Sequence, residues 1–365
     1  MTAAALSGWM DGRGDARPVA LLRIAAGPLV LLHLLPFLEI AAAGGSWDDT
    51  FWVPYADWYP TLSGAAWRTA LWGCAAAAVL LSAGALTRIA SAYTFGFVTW
   101  NLFLSQTHFH HNRAFLVTVL FALAALPAGR ALSVDAAVHR IRTGVRPEPS
   151  GPLWPLVPVR FTLATAYWAS GLSKLLDADW WGGTVLRLRI ERYGARAADA
   201  GVPDWALDLL ASEQFMWWFA KVVVLTELFI GIGLLVRRTR LAAIWAAIGF
   251  HAAIELTADV QVFSAAGLSA LLLWITPKAR DRVLVVGPEA ARFGAWVRRL
   301  DWTARFTVVS GEGGGPAITL HDRRGVERRG AEAVRMVTSR LPLGFPVAAP
   351  LLLPGIRSWW DRRSR

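Results

Sequence analysis

The sequence predicts an all-α polytopic membrane protein of about eight transmembrane helices, followed by a small cytoplasmic α/β domain. Of the 365 residues, 55% are hydrophobic and only 17% are charged, whereas about a quarter of residues are charged in soluble domains. The 20 tryptophans also favour a membrane, because Trp is enriched at membrane–water interfaces. The net charge of +11 comes from arginines in short clusters between apolar runs, a pattern of cytoplasmic loops that does not indicate a nucleic-acid partner. An ordinary soluble enzyme and a disordered chain are excluded.

Eight apolar segments are predicted to cross the membrane, although several are shorter than the roughly 20 residues that a straight helix needs. They are 18–40, 66–86, 89–107, 114–129, 155–175, 215–236, 241–256 and 261–276. We expect no cleavable signal peptide, because the N-terminal residues before Pro18 carry four charges and the apolar run that follows is long enough to span. Cys74 is the only cysteine, so neither a disulfide within the chain nor a thiolate zinc site can form.

Basic residues concentrate in the loops on one side of the predicted spans, and the positive-inside rule assigns that side to the cytoplasm. Examples are Arg88, the segment 130–146 and the run 237–240. We therefore predict that both termini are cytoplasmic. The opposite loops are rich in Trp, and the longest of them, 177–214, is predicted to hold a short interfacial helix.

The composition changes after Pro277. Short strands are predicted at 283–286, 306–309 and 317–320, and a helix is predicted at 330–340. The chain is therefore divided into a transmembrane domain at 1–277 and a cytoplasmic α/β domain at 278–365, whose length is close to the lower end of domain sizes.

Lys174 is the first candidate functional residue. The chain has 34 arginines but only three lysines, so a lysine inside a span is not simply the usual cation of this sequence. On a helix it shares one face with Arg160, Tyr167 and Gly171, and such a polar stripe should face other helices or a cavity. A buried lysine can lose its proton and act as a base, whereas arginine stays protonated. The alternative is that Lys174 reaches to the outer interface from the end of its span.

A second candidate is the polar segment 106–113, which carries His108, His110 and His111. The spacing lacks the i, i+4 histidine pair of helical zinc sites, so we predict hydrogen bonding rather than metal binding. An exposed interfacial loop is the alternative. Asn101 and Ser105 share a helical face with His108, which favours a polar cavity.

Two further polar groups lie inside predicted spans. His251 and Glu255 are spaced i, i+4 and are expected to form a hydrogen-bonded pair. Glu227 lies in the middle of its span and needs a partner, for which Arg160 and Arg23 are the candidates. We interpret Glu227 as part of an ion pair that fixes helix packing.

Two stretches carry a family resemblance. The segment from Tyr167 to Trp180, with Gly171, Lys174 and the Asp177-Ala178-Asp179-Trp180 run, resembles the G-x-x-K-L…D-W motif of vitamin K-dependent γ-carboxylases. The same motif occurs in their bacterial relatives, the horizontally transferred transmembrane (HTTM) domain proteins. The loop 105–116 resembles that family's Asn/His-rich loop, and Phe250-His251 resembles its later membrane histidine. The resemblance covers roughly residues 15–276.

The resemblance implies a reaction and a set of roles. In the family, the lysine deprotonates a reduced quinone of the vitamin K or menaquinol type. Reaction with O2 then yields an epoxide and a strong base, which removes a γ-proton from glutamate so that CO2 can add. Carried over, Lys174 is the base, and His111, Asn112 and His251 are the other catalytic polar groups. The residues expected to contact the cofactor are Tyr167, Arg113, Trp180 and Glu255.

The sequence departs from the family pattern at two places. One extra residue separates Lys174 from the Asp-Ala-Asp-Trp run, and Arg113 stands at the position of the loop's catalytic-type histidine. The expected partners are membrane lipids and quinone in the plasma (inner) membrane, with a peptide or small-molecule substrate that enters from the outer side. A non-catalytic lipid- or quinone-binding protein or scaffold is the alternative, and a transporter is a third, although no repeat between the halves is visible.

The C-terminal segment resembles a second family. Its Arg329-Gly330-Ala331-Glu332-Ala333, Leu341-Pro342-Leu343-Gly344 and Leu353-Pro354-Gly355 runs are similar to those of DCC-type thioredoxin-like domains. The active-site cysteines of that family have no counterpart here, so thiol–disulfide exchange is impossible. We predict a redox-inactive remnant of a thioredoxin-like domain.

Overall fold

The structure is a computed structural model, and it describes residues 13–152, 154–257, 262–275, 282–311, 316–322, 325–352 and 355–356. The chain forms two compact units. The first holds the residues up to Arg237 together with Ala246–Trp274, and the second holds Arg238–Trp245 together with Ile275–Arg365. The domain boundary predicted at 277/278 and both ends of the predicted span 261–276 lie outside the described residues.

The chain up to Trp274 is mostly helical. Its helices are α1 (Arg17–Ala42), α2 (Gly64–Ala83), α3 (Thr87–Leu104), α4 (His111–Ala125), α5 (Val134–Thr143), α6 (Leu156–Leu176), α7 (Ala178–Trp181), α8 (Thr184–Asp199), α9 (Asp204–Ala211), α10 (Glu213–Leu235), α11 (Arg240–Thr257) and α12 (Phe263–Ala270). Single 3₁₀ turns lie at Trp47–Asp49, Gln106–His108 and Leu271–Trp274. Two short strands, β1 (Arg13–Asp15) and β2 (Ser150–Pro152), pair antiparallel.

Each predicted span overlaps a helix of the described residues. Three helices in the described part of the chain are long and apolar enough to cross a membrane. These are α1, α2 and α10, with 26, 20 and 23 residues. Two shorter apolar helical stretches lie at Asn112–Ala125 and Phe263–Trp274. The chain is therefore a largely helical membrane protein, and the count of eight spans stays a prediction.

The segment 177–214 holds three helices, α7 to α9, where the sequence predicted one. The Asp177 side chain accepts hydrogen bonds from the backbone N–H groups of Asp179 and Trp180, at 2.9 and 3.1 Å. This cap starts a new helix directly after α6 and turns the chain away from the axis of α6. The cap therefore fixes where α6 ends and where Lys174 stands, within the last turn of α6.

Helices α6 and α10 pack closely because small residues lie between them. A Cβ atom added to Gly231 would lie 2.9 Å from the carbonyl oxygen of Ala164 and 2.9 Å from the backbone nitrogen of Trp168. A Cβ atom added to Gly171 would lie 2.9 Å from Cγ of Leu228. Small residues allow such close approach of membrane helices. The predicted stripe of α6 is indeed turned inwards, since Ala164, Tyr167 and Gly171 are buried.

The second described unit contains a mixed four-stranded sheet in the order β4-β3-β5-β6, formed by β3 (Arg282–Val286), β4 (Phe306–Ser310), β5 (Ile318–His321) and β6 (Glu327–Arg329). Strands β3 and β4 are parallel and joined through helix α13 (Ala291–Leu300), whereas β5 pairs antiparallel with both β3 and β6. Helix α14 (Gly330–Thr338) packs against β5, and α15 (Phe345–Ala348) follows.

The predicted strands at 283–286, 306–309 and 317–320 and the predicted helix at 330–340 all coincide with observed elements. Their alternating apolar residues form one buried cluster that includes Leu284, Phe306, Leu320 and Val337. Helix α13 and strand β6 were not predicted from the sequence. Strand β6 is polar and has only three residues. The motif run 353–355 lies mostly outside the described residues.

Candidate functional site

Lys174 points into the protein and meets a carboxylate. Its Nζ atom lies 2.5 Å from Oε2 of Glu227 on α10 and donates a second hydrogen bond to Oγ of Ser170 at 3.0 Å. The side chains of Lys174 and Glu227 are 17% and 5% exposed. A contact of this length between a charged donor and a carboxylate is a strong, charge-assisted hydrogen bond. The inward geometry differs from the alternative in which Lys174 reaches to the outer interface.

The predicted partners of Glu227 were wrong. Arg160 donates from its guanidinium to the carbonyl oxygen of Leu273, and Arg23 donates to carbonyl oxygens at the ends of other helices. The close α6–α10 contact places Glu227 opposite Lys174 instead. Sequence reasoning missed this pair, because spacing along one helix carries no information on which residues of another helix lie opposite.

Aromatic rings surround the ammonium group of Lys174. The Nζ atom lies 4.9 Å from the ring centroid of Trp180 and 5.9 Å from that of Phe250. Trp180 is held close by the Asp177 cap, and its ring also lies 5.1 Å from Cζ of Arg189. Both contacts are within the range of cation–π attraction. The predicted site residue Trp180 is therefore beside Lys174.

Tyr167 and His251 form a second buried pair, about two helical turns before Lys174 on α6. The Tyr167 hydroxyl lies 2.7 Å from Nε2 of His251, and the two rings meet edge to face at a centroid distance of 5.9 Å. Tyr167 and His251 are 5% and 0% exposed. The Nδ1 atom of His251 is buried and makes no hydrogen bond within the described part of the chain.

The predicted pairing of His251 with Glu255 does not form. Glu255 is exposed, and the hydrogen bond of His251 goes to Tyr167 on a different helix. The Glu255 carboxylate is one turn from His251 and is exposed. Hydration stabilises an exposed carboxylate, whereas burial beside the His251 ring would cost free energy, so the predicted pair does not form. Glu255 is therefore separated from the other predicted site residues.

The loop residues Asn112 and Arg113, both predicted site residues, have different surroundings. Asn112 is 8% exposed and faces the same cavity as Lys174. Arg113 instead donates to the carbonyl oxygen of His108 at 2.8 Å, and its Cζ atom lies 5.7 Å from the Phe37 ring. His111 is the first residue of α4, and its side chain lies outside the described part of the structure.

His108 contacts both Asn101 and Arg113. It is buried, and its Nδ1 atom lies 3.0 Å from the carbonyl oxygen of Asn101. Burial lowers the pKa of His108, while the hydrogen bond to Asn101 opposes this change and the nearby Arg113 adds to it. The predicted polar face of Asn101, Ser105 and His108 is thus buried, with exposures of 1%, 0% and 7%.

A cavity of about 1010 Å³ opens beside Lys174, and we call it the lysine cavity. Its polar lining includes Lys174, Glu227, Tyr167, Ser170, Asn112, His110, Arg189 and Arg192. Its apolar lining includes Phe115, Leu163, Val185, Leu188, Phe250, Ile254 and Phe263. The volume is at the upper end of the range for small-molecule sites, and a lining that offers more apolar than polar surface is typical of them. Among the described residues, no group of three His, Cys, Asp or Glu side chains could hold a metal ion.

The structure thus places Lys174, Tyr167 and Asn112 in the lining of one cavity, while Trp180 contacts Lys174 and His251 contacts Tyr167. The residues that sequence reasoning missed are Ser170, Arg189 and Arg192, besides the pairing of Glu227. Ser170 lies at i−4 of Lys174, which is a signal that helical spacing offers. Nothing in the sequence spacing of the two arginines indicates a cavity.

Comparison with known proteins gives one match. A family model described as HTTM domain matches residues 13–278. No curated protein and no solved structure gave a match.

Proposed function

Because the chain belongs to the HTTM domain family, we propose that it is a multi-pass membrane enzyme that uses Lys174 as a base on a reduced quinone. HTTM domains occur in vitamin K-dependent carboxylase-like proteins. The reduced quinone would be of the vitamin K or menaquinol type. Together with O2 it would supply the driving force for an epoxidation- or carboxylation-type reaction. A carboxylation would also consume CO2. The substrate would be a peptide or small molecule that enters from the outer side.

The observation that carries this proposal is the position of Lys174 at the lysine cavity. A reduced quinone is a flat, mostly apolar molecule with hydroxyl groups at its ends. The lining fits such a molecule, because Phe250, Phe263 and Leu163 offer apolar surface and Lys174 and Asn112 offer polar atoms.

Glu227 gives Lys174 a route to the basic form. Transfer of one proton across the 2.5 Å contact turns the ammonium and carboxylate into a neutral amine and a carboxylic acid. The amine can then take a proton from a hydroxyl group in the cavity, and the pair as a whole gains one proton. Ser170 keeps the amine oriented through its 3.0 Å hydrogen bond. Tyr167, whose hydroxyl is bonded to His251, lines the same cavity.

The alternative is a non-catalytic membrane protein that binds lipid or quinone or serves as a scaffold. One observation favours it: a lysine that is ion-paired with a buried carboxylate is also what a purely structural cation looks like. The two functions differ in what happens when Lys174 is replaced by arginine, because arginine keeps the charge but does not deprotonate under protein conditions.

The test uses the full-length protein, reconstituted anaerobically in liposomes with reduced menaquinone and then exposed to O2. The measurement is the formation of an oxygenated quinone product beyond what protein-free liposomes give. Lys174→Arg should lower the rate by about 10²- to 10⁴-fold, the usual contribution of a general base. Lys174→Ala should lose turnover as well, and added small amines should restore part of it.

Lys221→Arg is the matched control. Lys221 lies on α10 and bonds to the backbone carbonyls of Trp181 and Trp217, so its replacement should leave turnover unchanged. If Lys174→Arg turned over like the wild type, Lys174 would be a structural cation and not the base. If the wild type formed no more product than protein-free liposomes, the alternative, non-catalytic function would stand.

The same proposal includes an orientation. We infer that the protein lies in the plasma (inner) membrane with both termini in the cytoplasm, which is supported by the arginine-rich loops 130–146 and 237–240. Reporter fusions at residue 365 and within 177–214 should give opposite signals. Equal signals would contradict the orientation.

The second unit is proposed to be a redox-inactive, thioredoxin-like domain. Its parallel β3-α13-β4 arrangement supports this proposal, since thioredoxin-like redox motifs occur beside β-α-β patterns. The chain has no cysteine other than Cys74, so this domain has no thiol to exchange.

A further inference from the structure

Helix α8 places two arginines on the lysine cavity. Arg189 and Arg192 are three residues apart, so their side chains leave the helix on the same face. Both line the cavity, together with Val185 and Leu188 of the same helix. Arg187, which lies on another face, is not among the lining residues and pairs instead with Glu191 at 3.9 Å and Glu213 at 3.8 Å. Helix α8 therefore has a cavity face that is cationic and apolar at once.

Trp180 holds Arg189 in place. The indole ring lies between two cations, with Nζ of Lys174 at 4.9 Å and Cζ of Arg189 at 5.1 Å from its centroid. Trp180 is itself fixed by the Asp177 cap of its short helix. A guanidinium group that stacks on an aromatic ring keeps its N–H donors at the edge available for an oxyanion. Arg189 is thus oriented before any ligand arrives.

The lining carries more positive than negative charge. Its cationic side chains are Lys174, Arg189 and Arg192, and Glu227 is the one acid among the described lining residues. Glu227 is already bonded to Lys174. A neutral quinone has no anionic group for two guanidinium groups to bind, so the quinone itself does not account for this charge.

The rest of the wall is apolar. Leu188, Val185, Phe250, Ile254 and Phe263 line it within the same cavity as the two arginines. A small hydrophilic anion would leave this surface in contact with water. A molecule with an anionic head and a hydrocarbon chain would cover both parts of the lining, since burial of each CH₂ group contributes about 0.8 kcal/mol.

We propose that the lysine cavity binds an anionic amphiphile, whose phosphate or carboxylate head lies against Arg189 and Arg192 while its chain follows the apolar wall. Guanidinium groups form paired, charge-assisted hydrogen bonds with both kinds of oxyanion. The inference uses the same cavity as the proposed function but does not depend on quinone chemistry. Binding is measured without quinone and without O2, so a failure of either proposal is recognised separately.

The test is native mass spectrometry of the full-length protein in nanodiscs of zwitterionic phosphatidylcholine. The probes are two matched pairs: phosphatidic acid against diacylglycerol, and oleate against oleyl alcohol. In each pair only the anionic head differs. The wild type should retain at least one of the anionic probes about tenfold more tightly than its neutral counterpart, as a charged hydrogen bond of about 1.5–3 kcal/mol allows.

The variants decide whether the arginines are responsible. The double variant Arg189→Gln/Arg192→Gln should lose the preference for the anionic probe about tenfold or more, whereas the matched control Arg187→Gln should retain it. Arg189→Lys/Arg192→Lys should keep part of the preference, which guards against a folding defect in the glutamine variant.

Each outcome bears on the proposal. Preference for phosphatidic acid alone supports a phosphate head, and preference for oleate alone supports a carboxylate head. Equal retention of both members of each pair by the wild type would overturn the proposal. So would a double variant that keeps the full preference, or an Arg187→Gln variant that loses it to the same extent.

Discussion

Arg23 and Lys174 are two cations buried among the helices of the first unit, and their positive charges are satisfied in different ways. Arg23 is fully buried and donates to three backbone carbonyl oxygens, those of Leu81 and Ser82 at 2.8 and 2.9 Å and that of Leu132 at 2.5 Å. Lys174 is partly exposed to a cavity and donates to the side chains of Glu227 and Ser170. One cation is therefore held by the backbone, the other by side chains.

The difference separates a structural role from a chemical one. A backbone carbonyl group does not take up a proton from arginine, so the charge of Arg23 is fixed. Arg23 ties α1 to the backbone near residues 82 and 132. Glu227 is a carboxylate that can take up a proton, and its partner Lys174 faces space for a ligand. A buried charge by itself thus indicates neither role. The chemistry of its acceptor and the presence of a cavity distinguish the two.

The largest loss of stability is expected at Arg23. Arg23→Met removes three hydrogen bonds from a charged donor, at a cost of about 1.5–3 kcal/mol for each. Arg23→Lys should lose most of the same stability, because one ammonium group does not reproduce the planar fork that reaches three acceptors. Thermal unfolding in detergent measures both. A lysine variant as stable as the wild type would show that charge alone is required there.

Lys174 and Glu227 should behave differently, because each can be removed together with its partner. Glu227→Gln alone or Lys174→Met alone leaves one buried charge without its partner and should cost about 3 kcal/mol. The double variant Lys174→Met/Glu227→Gln should recover much of this loss, since removal of both charges also removes the cost of burying them. A double-mutant cycle of unfolding free energies measures the coupling.

Two outcomes would contradict this comparison. If the single losses at Lys174 and Glu227 simply added in the double variant, the 2.5 Å contact would contribute no coupling. If Arg23→Met were rescued by replacement of one nearby side chain, Arg23 would also depend on a side-chain acceptor rather than on the backbone.

The smallest effect is expected at the helix contact that positions the pair. Gly231→Ala would place a Cβ atom 2.9 Å from backbone atoms of α6, and this overpacking should cost about 1–3 kcal/mol. Gly96→Ala is the matched control, because an added Cβ atom at Gly96 on α3 meets nothing within 4 Å. That control should instead gain about 0.5–1 kcal/mol, the difference in helix propensity. Equal effects of both variants would show that α6 and α10 tolerate separation.

The sequence alone determined the positions of the eight apolar helices along the chain. Each of the eight apolar segments coincides with a helix, because an apolar run must satisfy its backbone hydrogen bonds internally wherever water is absent. The strands of the second unit were predicted from short β-branched runs such as 283–286 and 306–309. The inward face of α6, with Tyr167 and Gly171, followed from helical spacing. These properties are local, and local spacing is readable from a sequence.

The tertiary structure decided which residues meet. The close α6–α10 contact places Glu227 beside Lys174. The packing of α11 lets His251 bond to Tyr167 on α6 and not to Glu255 on its own helix. At the start of α4, Arg113 bonds to the carbonyl oxygen of His108. Each of these contacts joins residues whose distance in the sequence carries no information on their distance in space. Which side chains meet depends on how each helix is rotated and how closely two helices approach. Small residues such as Gly171 and Gly231 permit a close approach, but the packing of the whole unit sets the rotation.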